Sequence, residues 1–119
     1  MKYAYEDLEV WKNGMTLVEG IYKLTNGFPS QERFGVTSQL QRAAVSIVLN
    51  IAEGKGRFHR KEYKQFLYTA RGSLYETNTL LLLSNRLGYL KTKDYEDLSQ
   101  KTSQIMSQLS GLINYLKED

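Results

Sequence analysis

Apolar side chains recur at steps of three and four residues along most of the chain, which is the period of one face of an α-helix. The first such stretch runs from about Tyr5 to Thr25, and a second ends near Glu53. A third begins near Arg60 and a fourth near Thr92. No segment alternates apolar and polar residues as a half-buried strand does. The pattern therefore predicts an all-α fold of four helices.

The same steps predict which side of each helix faces the core. The first helix presents Leu8, Trp11, Met15, Val18 and Tyr22. The third presents Tyr63, Phe66, Leu67, Ala70, Leu74, Leu81 and Leu82. The fourth presents Tyr95, Leu98, Thr102, Ile105, Leu109, Leu112 and Leu116. Long helices joined by short links favour an antiparallel up-down-up-down four-helix bundle, and we expect residues 1–119 to form a single domain.

Residue types that favour caps and stops predict where the helices begin and end. Asn26 and Gly27 predict a left-handed stop after the first helix, and Ser30 or Thr37 is the expected cap of the second. The later signals are Gly54 and Gly56 as the end of the second helix, Gly88 as the stop of the third, and Thr92 as the cap of the fourth. The connection between the first two helices is the longest and has room for a short helical turn.

The second helix is apolar around most of its circumference. At about 100° per residue, its polar side chains share one narrow stripe: Gln39, Arg42, Ser46, Asn50, Glu53 and Arg57. The wider arc consists of Val36, Leu40, Ala43, Ala44, Val45, Ile47, Val48, Leu49, Ile51 and Ala52. A bundle helix needs only about three apolar positions in seven to fill one core. The excess predicts that part of this helix packs against another copy of the chain.

The residue composition excludes cysteine-based sites and favours long helices. The chain has 119 residues, no cysteine and one proline, so disulfides and thiolate metal sites are excluded and long helices are favoured. The first residues show no apolar leader, and the longest apolar run, 43–52, is about half the ~20 residues that cross a bilayer. We therefore expect a cytoplasmic protein that does not insert into membranes.

Positive charge is concentrated in the middle of the chain. Residues 55–92 hold 8 basic and 2 acidic side chains, although the whole chain carries only +3. The cations of interest, called the basic patch below, are Lys55, Arg57, Arg60, Lys61, Lys64 and, more weakly, Arg71. Phe58 and His59 lie among them and offer a stacking surface. Phosphate contacts, a solvated surface and a protein-binding surface all remain open for this cluster.

Enzymatic and metal sites lack their usual components. The sequence has no nucleophile elbow, phosphate loop, dinucleotide fingerprint or zinc spacing, and its single histidine, His59, belongs to no Glu-x-x-His pair. We therefore expect no catalysis, no cofactor and no metal. Glu53 and Glu76 are the carboxylates expected nearest the interior, in a structural polar network with Arg42, Ser46 and Asn50.

Small residues on the second and third helices predict a close approach between these two helices. They are Ala43, Ala44, Ala52, Ala70, Gly72 and Ser73. Gly72 is the most telling of them, since a glycine inside a helix is less favourable than alanine by about 1 kcal/mol. A packing reason is therefore expected at that position.

A family resemblance is carried by blocks spread over most of the chain. They are Leu8-Glu9-Val10-Trp11-Lys12, residues 28–35, Gln39-Leu40-Gln41-Arg42-Ala43-Ala44-Val45-Ser46, Asn50-Ile51-Ala52-Glu53-Gly54, Gly72-Ser73-Leu74 and Leu87-Gly88-Tyr89-Leu90. In these blocks the chain resembles the small helical proteins encoded in intervening sequences of bacterial 23S rRNA genes. Distant relatives include the accessory variability protein of diversity-generating retroelements.

The resemblance implies an antiparallel bundle assembled as a ring-shaped homopentamer, without established catalytic activity and with a nucleic-acid or ribonucleoprotein role. Two positions depart from the family pattern. Ile47-Val48-Leu49 stands where members often have a proline, and His59 stands where a serine commonly caps the third helix.

Two functions follow as hypotheses. The first is a non-enzymatic homo-oligomeric scaffold that binds RNA or DNA through the basic patch at the connection between helices two and three. The second is an adaptor that binds a protein encoded nearby and makes no direct contact with nucleic acid.

Overall fold

Four α-helices make up most of the molecule, as the apolar periodicity predicts. The computed structural model describes residues 2–117, and no β-strand occurs among them. The helices are α1 (Glu9–Thr25), α2 (Val36–Lys55), α3 (Arg60–Arg86) and α4 (Thr92–Leu116). Short 3₁₀ turns span Ala4–Asp7, before α1, and Ser30–Glu32, in the connection between α1 and α2. The all-α class is confirmed, and the longest connection does contain a helical turn.

One contiguous apolar core lies between the helices. Helix α2 packs against α1 and α3, and α4 packs against α3 and α1, so that each helix has two neighbours. The largest fully buried apolar side chains are Leu17, Ile21, Leu40, Ile47, Ile51, Leu67, Leu74, Leu81, Ile105, Leu109 and Ile113. Each stabilises the fold by about 1.5–3 kcal/mol relative to an exposed position. Burial of these side chains, rather than helix propensity, accounts for most of the stability of the helices.

The inner face of α1 differs from the predicted one. Its buried residues are Val10, Gly14, Leu17, Ile21 and Thr25, whereas Tyr22 is exposed. Both sets of residues follow steps of three and four, so the periodicity alone does not separate them. The rotation of α1 brings Gly14 against α2, where a Cβ atom on Gly14 would lie 2.7 Å from Cγ1 of Val48.

The predicted stop after α3 is confirmed. Helix α1 also ends at Thr25, as predicted, but not through the predicted left-handed conformation. Gly88 has a φ of 83°, and the amides of Gly88 and Tyr89 donate to the carbonyls of Asn85 and Ser84. These two bonds form a Schellman motif. Asn26, in contrast, has right-handed helical angles, and Gly27 has no positive φ. Helix α1 ends instead in a 3₁₀-type turn, in which the amide of Gly27 donates to the carbonyl three residues earlier, that of Leu24.

Three predicted caps are also corrected. Ser30 lies in the 3₁₀ turn and Thr37 lies inside α2, whose N-cap is Gly35. A carboxylate oxygen of Glu32 accepts the amide of Val36 at 3.3 Å and so takes over the capping role. Thr92 is the first residue of α4 rather than its cap, and its hydroxyl accepts a hydrogen bond from the Asn85 side chain.

Part of the wide apolar arc of α2 remains outside the core. Ala43, Ala44 and Ile47 are buried, but Leu49 is 53% exposed. With Val45, which is half-buried, and Tyr22 of α1, Leu49 lines a shallow groove of about 310 Å³. We call Tyr22, Val45 and Leu49 the apolar face. It lies between α1 and α2 on the outside of the molecule.

Candidate nucleic-acid interface

The connection between α2 and α3 is short and tightly bonded. Helix α2 ends at Lys55, and Gly56 still donates its amide to the carbonyls of Ala52 and Glu53. The amide of Arg57 donates to the carbonyl of Gly54 at 3.0 Å. His59 then takes an extended conformation as the N-cap of α3, without a side-chain capping bond. Four residues, among them Arg57, therefore separate two long helices, and Lys55, Arg60 and Lys61 lie at the adjoining helix ends.

Gly54 permits this tight connection, although it does not end the helix as predicted. It is buried inside α2, opposite the first turns of α3. A Cβ atom at Gly54 would lie 2.8 Å from Cβ of Phe66 and 3.3 Å from the carbonyl oxygen of Tyr63. These atoms are close to or part of the backbone of α3, so a side chain at Gly54 would push the two helices apart.

Aromatic rings hold most of the cations of the basic patch. The guanidinium carbon of Arg57 lies 4.6 Å from the centre of the Phe66 ring, and Nζ of Lys55 lies 6.0 Å from that of Tyr63. The guanidinium carbon of Arg60 lies 5.2 Å from the ring of Tyr115 in α4. Such contacts are worth about 0.5–1 kcal/mol each at exposed positions. They hold the charges near the surface without neutralising them.

The same contact recurs farther along α3. The guanidinium carbon of Arg71 lies 5.1 Å from the centre of the Tyr68 ring. Arg71, which the sequence suggested only weakly, therefore has the same kind of ring contact as Arg57 and Arg60.

Carboxylates do not compete for most of these cations. Five of them form no ion pair with any carboxylate in the described range 2–117, namely Lys55, Arg57, Lys61, Lys64 and Arg71. Phe58 is 93% exposed and meets His59 edge-on, with ring centres 5.0 Å apart. An apolar ring so exposed among cations is available for stacking by a planar ligand.

The basic patch divides into two groups on two sides of α3. Lys55 and Arg57 lie beside Tyr63 and Phe66, where α3 packs on α2. Lys64 and Arg71 occupy the other side of α3, and Arg60 reaches Tyr115 of α4. Lys61 is exposed. The structure thus brings the six cations to the first half of α3 but does not merge them into one flat surface.

The predicted polar network is smaller than expected and differs in composition. Oγ of Ser46 lies 2.8 Å from Oγ of Ser73, and Nδ2 of Asn50 donates to both the carbonyl and the hydroxyl oxygen of Ser46. These bonds link α2 to α3 at half-buried positions. In the sequence Ser73 is notable only as a small residue, and its polar role follows from its position opposite Ser46.

The charged members expected in that network are on the surface. Arg42, Glu53 and Glu76 are exposed and form no side-chain hydrogen bond or ion pair within residues 2–117. The expectation of interior carboxylates was therefore wrong. The physical reason is that the hydroxyl and amide groups of Ser46, Ser73 and Asn50 satisfy one another, whereas a buried carboxylate would need cationic partners.

Gly72 also lacks the packing role that was predicted for it. It is exposed in the middle of α3, and a Cβ atom there would meet nothing within 4 Å. Ala43, Ala44 and Ala70 are buried, so the close approach of α2 and α3 does involve the other small residues.

The described part of the chain contains neither a candidate metal-binding cluster nor a candidate membrane-spanning helix. Among residues 2–117, no three His, Cys, Asp or Glu side chains are placed to hold a metal ion. No helix within this range has both the length and the apolar character needed to cross a membrane.

The fold is similar to that of a solved structure. It is the crystal structure of a protein of unknown function from the S23 ribosomal protein family of Bacteroides thetaiotaomicron. The TM-score is 0.82 and the sequence identity is 24%, with 88% of this chain and 95% of the other covered. At this identity the comparison shows a shared fold. No curated protein matches the sequence.

The sequence also matches a family profile over nearly its whole length. The profile is described as "23S rRNA-intervening sequence protein", and the match spans residues 6–111. It includes the four helices, except for the last turns of α4, and the whole connection between α2 and α3. The resemblance found in the sequence is thereby confirmed, and this chain belongs to the 23S rRNA-intervening sequence protein family.

Proposed function

We propose that the protein is a non-enzymatic, homo-oligomeric scaffold that binds RNA or DNA through the basic patch. The observation that carries this proposal is the set of five cations at the α2–α3 connection and along the first half of α3 that have no carboxylate partner among the described residues. Cations of this kind displace counterions from a phosphate backbone, and this release drives binding. The exposed ring of Phe58 adds a surface on which a base can stack.

One copy of the chain offers few contacts, so its own affinity for nucleic acid would be weak. Non-specific binding through a handful of phosphates falls steeply between low and physiological salt. A ring of identical subunits repeats the basic patch and raises avidity without any new contact. The proposal therefore joins binding to assembly, with a cyclic homopentamer as the favoured state and an up-down-up-down arrangement of the helices in each subunit.

Contacts between chain segments support that arrangement. Phe28, just after α1, lies 5.8 Å from Tyr89, just after α3, measured between ring centres. Arg60, at the start of α3, reaches Tyr115, near the end of α4. These pairs are expected when consecutive helices alternate in direction.

The binding experiment measures fluorescence anisotropy of a structured RNA over a series of salt concentrations. We expect binding at low salt with a negative slope of the logarithm of affinity against the logarithm of salt concentration. The double variant Arg57→Gln/Lys61→Gln should weaken binding and reduce that slope by about 1 for each phosphate that the variant no longer neutralises. Lys23→Gln, an exposed lysine of α1, is the matched control and should leave both unchanged.

Two outcomes of this experiment would contradict the proposal. No binding at low salt, or an identical weakening with Lys23→Gln and with the double variant, would show that the basic patch does not contact nucleic acid. Circular dichroism of each variant establishes that the fold is retained.

The adaptor function is the second candidate because the apolar face is an exposed apolar surface that a partner protein could cover. Tyr22 is 43% exposed next to Leu49 and Val45. A partner protein bound there should remain associated after nuclease treatment of a native lysate. Release of the associated protein on nuclease treatment would instead indicate a bridge of nucleic acid and favour the first function.

A further inference from the structure

Four side chains of α3 form a row in which cations and tyrosines alternate. They are Lys64, Tyr68, Arg71 and Tyr75, at steps of four, three and four residues. At about 100° per residue they fall within an arc of roughly 60°, and they span roughly 16 Å along the helix. We call this row the α3 stripe.

The stripe is accessible over its length. Tyr75 is 64% exposed, and Lys64, Tyr68 and Arg71 are all partly exposed. Tyr75 also lines a cleft between α3 and α4 whose other wall includes Ser103 and Met106. The stripe therefore meets a groove between two helices at its Tyr75 end.

Carboxylates are sparse along the described helices that flank the stripe. Residues 98–117, which form most of α4, contain no Asp or Glu, and their polar side chains are mainly Ser, Gln and Asn. The only carboxylates of α3 are those of Glu62 and Glu76. By the same helical geometry Glu62 falls on the far side of α3, and Glu76 falls about 120° from Lys64 and about 100° from Tyr75. A polyanion lying along the stripe would thus meet cations, rings and uncharged hydrogen-bonding groups.

The contact between Arg71 and Tyr68 makes the stripe more specific than a row of charges. The guanidinium carbon lies over the tyrosine ring, 5.1 Å from its centre, and Arg71 has no carboxylate partner among residues 2–117. A planar guanidinium both stacks on a base and donates to a phosphate. Tyr75 has a large exposed ring one turn farther along.

We infer that the α3 stripe binds a single-stranded stretch of nucleic acid, with Lys64 and Arg71 on phosphates and bases stacked on Tyr75 and on the Arg71–Tyr68 pair. Cations interleaved with rings are the pattern that single-strand sites use, because unpaired bases expose their faces. The stacked bases of a duplex do not. The inference rests on the proposed nucleic-acid binding and specifies the form of the ligand.

The test compares probes of about 12 nucleotides, a length within the range of known single-strand sites. Single-stranded RNA, single-stranded DNA and the matching duplexes are titrated by fluorescence anisotropy at the same salt concentration. We expect at least one single strand to bind more tightly than its duplex. If RNA binds more tightly than DNA of the same sequence, the 2′-hydroxyl contributes to the contact.

Two variants separate stacking from charge. Tyr75→Ala should weaken single-strand binding about five-fold to one-hundred-fold, the range that removal of one stacking ring produces. Its effect on duplex binding and on the salt slope should be negligible, and Tyr75→Phe, which keeps the ring, should bind as the original chain does. Arg71→Lys keeps the charge but removes the planar group, so it should lower single-strand affinity with an unchanged salt slope.

Failure of this inference is distinguishable from failure of the proposed function. Duplex binding as tight as single-strand binding, or no effect of Tyr75→Ala on the single strand, would overturn the inference. The proposed function would survive either result if Arg57→Gln/Lys61→Gln still weakened binding. Absence of binding to every probe at low salt would overturn both.

Discussion

Two glycines in helices, Gly54 and Gly72, show how the surroundings decide the role of a residue. Gly54 lies where α2 meets α3, and an added Cβ would be 2.8 Å from Cβ of Phe66. Gly72 lies on the open side of α3 with nothing within 4 Å. The sequence predicted a packing role for Gly72 and a helix end at Gly54. Residue type does not distinguish the two roles, because both glycines lie in segments whose apolar residues recur at helical spacing.

Alanine substitutions at these glycines should therefore have opposite effects. Helix propensity favours alanine over glycine by up to about 1 kcal/mol at an internal helical position. Gly72→Ala should raise the free energy of unfolding by about that amount. At Gly54 the steric conflict should outweigh the propensity, so that Gly54→Ala lowers the free energy of unfolding by about 1–2 kcal/mol.

Urea unfolding followed by circular dichroism measures both values, at one protein concentration because assembly affects apparent stability. The two glycines serve as controls for each other. Equal changes at the two positions would contradict the close approach of α2 and α3 at Gly54.

At the scale of elements, one side chain joins the two connections that follow α1 and α3. The carboxylate of Glu32 accepts the amide of Val36 at the start of α2 and the hydroxyl of Tyr89, 2.8 Å away, after α3. The hydrogen bond to Glu32 raises the pKa of Tyr89 above its ordinary value of 10.0, and desolvation and the negative charge of Glu32 act in the same direction. Sequence patterns did not reveal this link, since its partners are 57 residues apart.

The sign of the pH dependence follows from the raised pKa. Tyr89 holds its proton more tightly in the folded chain than in the unfolded chain. The stability from this bond is thus complete below pH 10 and is lost as the pH rises from 10 through the folded pKa. Glu32→Gln should lower the pKa of Tyr89 toward its ordinary value. Titration of carbon-labelled tyrosine by NMR measures the shift.

Glu76→Gln is the control for this titration, because Glu76 is exposed and has no side-chain bond within residues 2–117. It should leave the pKa of Tyr89 unchanged. A pKa of Tyr89 that stayed equally high in Glu32→Gln would show that Glu32 is not its cause.

For the whole molecule, the apolar face is the feature that a single chain does not explain. Ala43, Ala44 and Ile47 face the core, while Leu49 and Tyr22 remain in solvent. The sequence predicted excess apolar surface on α2, and the structure locates it in the groove beside α1. The proposed function requires assembly, and a second copy of the chain that packs on this surface would cover it.

Leu49→Lys should therefore disrupt assembly. Light scattering at micromolar concentration should give an oligomer for the original chain and smaller species for Leu49→Lys. A lysine at the centre of an apolar contact weakens association by roughly 30-fold or more. Leu83→Lys is the matched control, since Leu83 is 40% exposed on α3 and away from the apolar face. A monomeric original chain, or equal effects of both substitutions, would contradict the assignment of this face.

The composition of the candidate interface was predictable, and its geometry was not. The six cations and Phe58 are apparent in the sequence, because charge is a local property of each residue. The rings that Arg57 and Arg60 contact depend on how α3 packs against the end of α2 and against α4. The contact of Arg71 with Tyr68, three residues away in the same helix, is local. The α3 stripe has a regular spacing that a search for alternating cations and tyrosines would have found.

By itself, the sequence determined the number of helices, their approximate bounds and the family, because helical periodicity, stop residues and motif spacing are local. The tertiary structure decided which of two equivalent faces of α1 is buried, and why Glu53 and Glu76 lie in solvent while Ser46 and Ser73 pair. These outcomes depend on the neighbours that each side chain meets. Neighbours are set by the packing of all four helices together, which no single stretch of sequence contains.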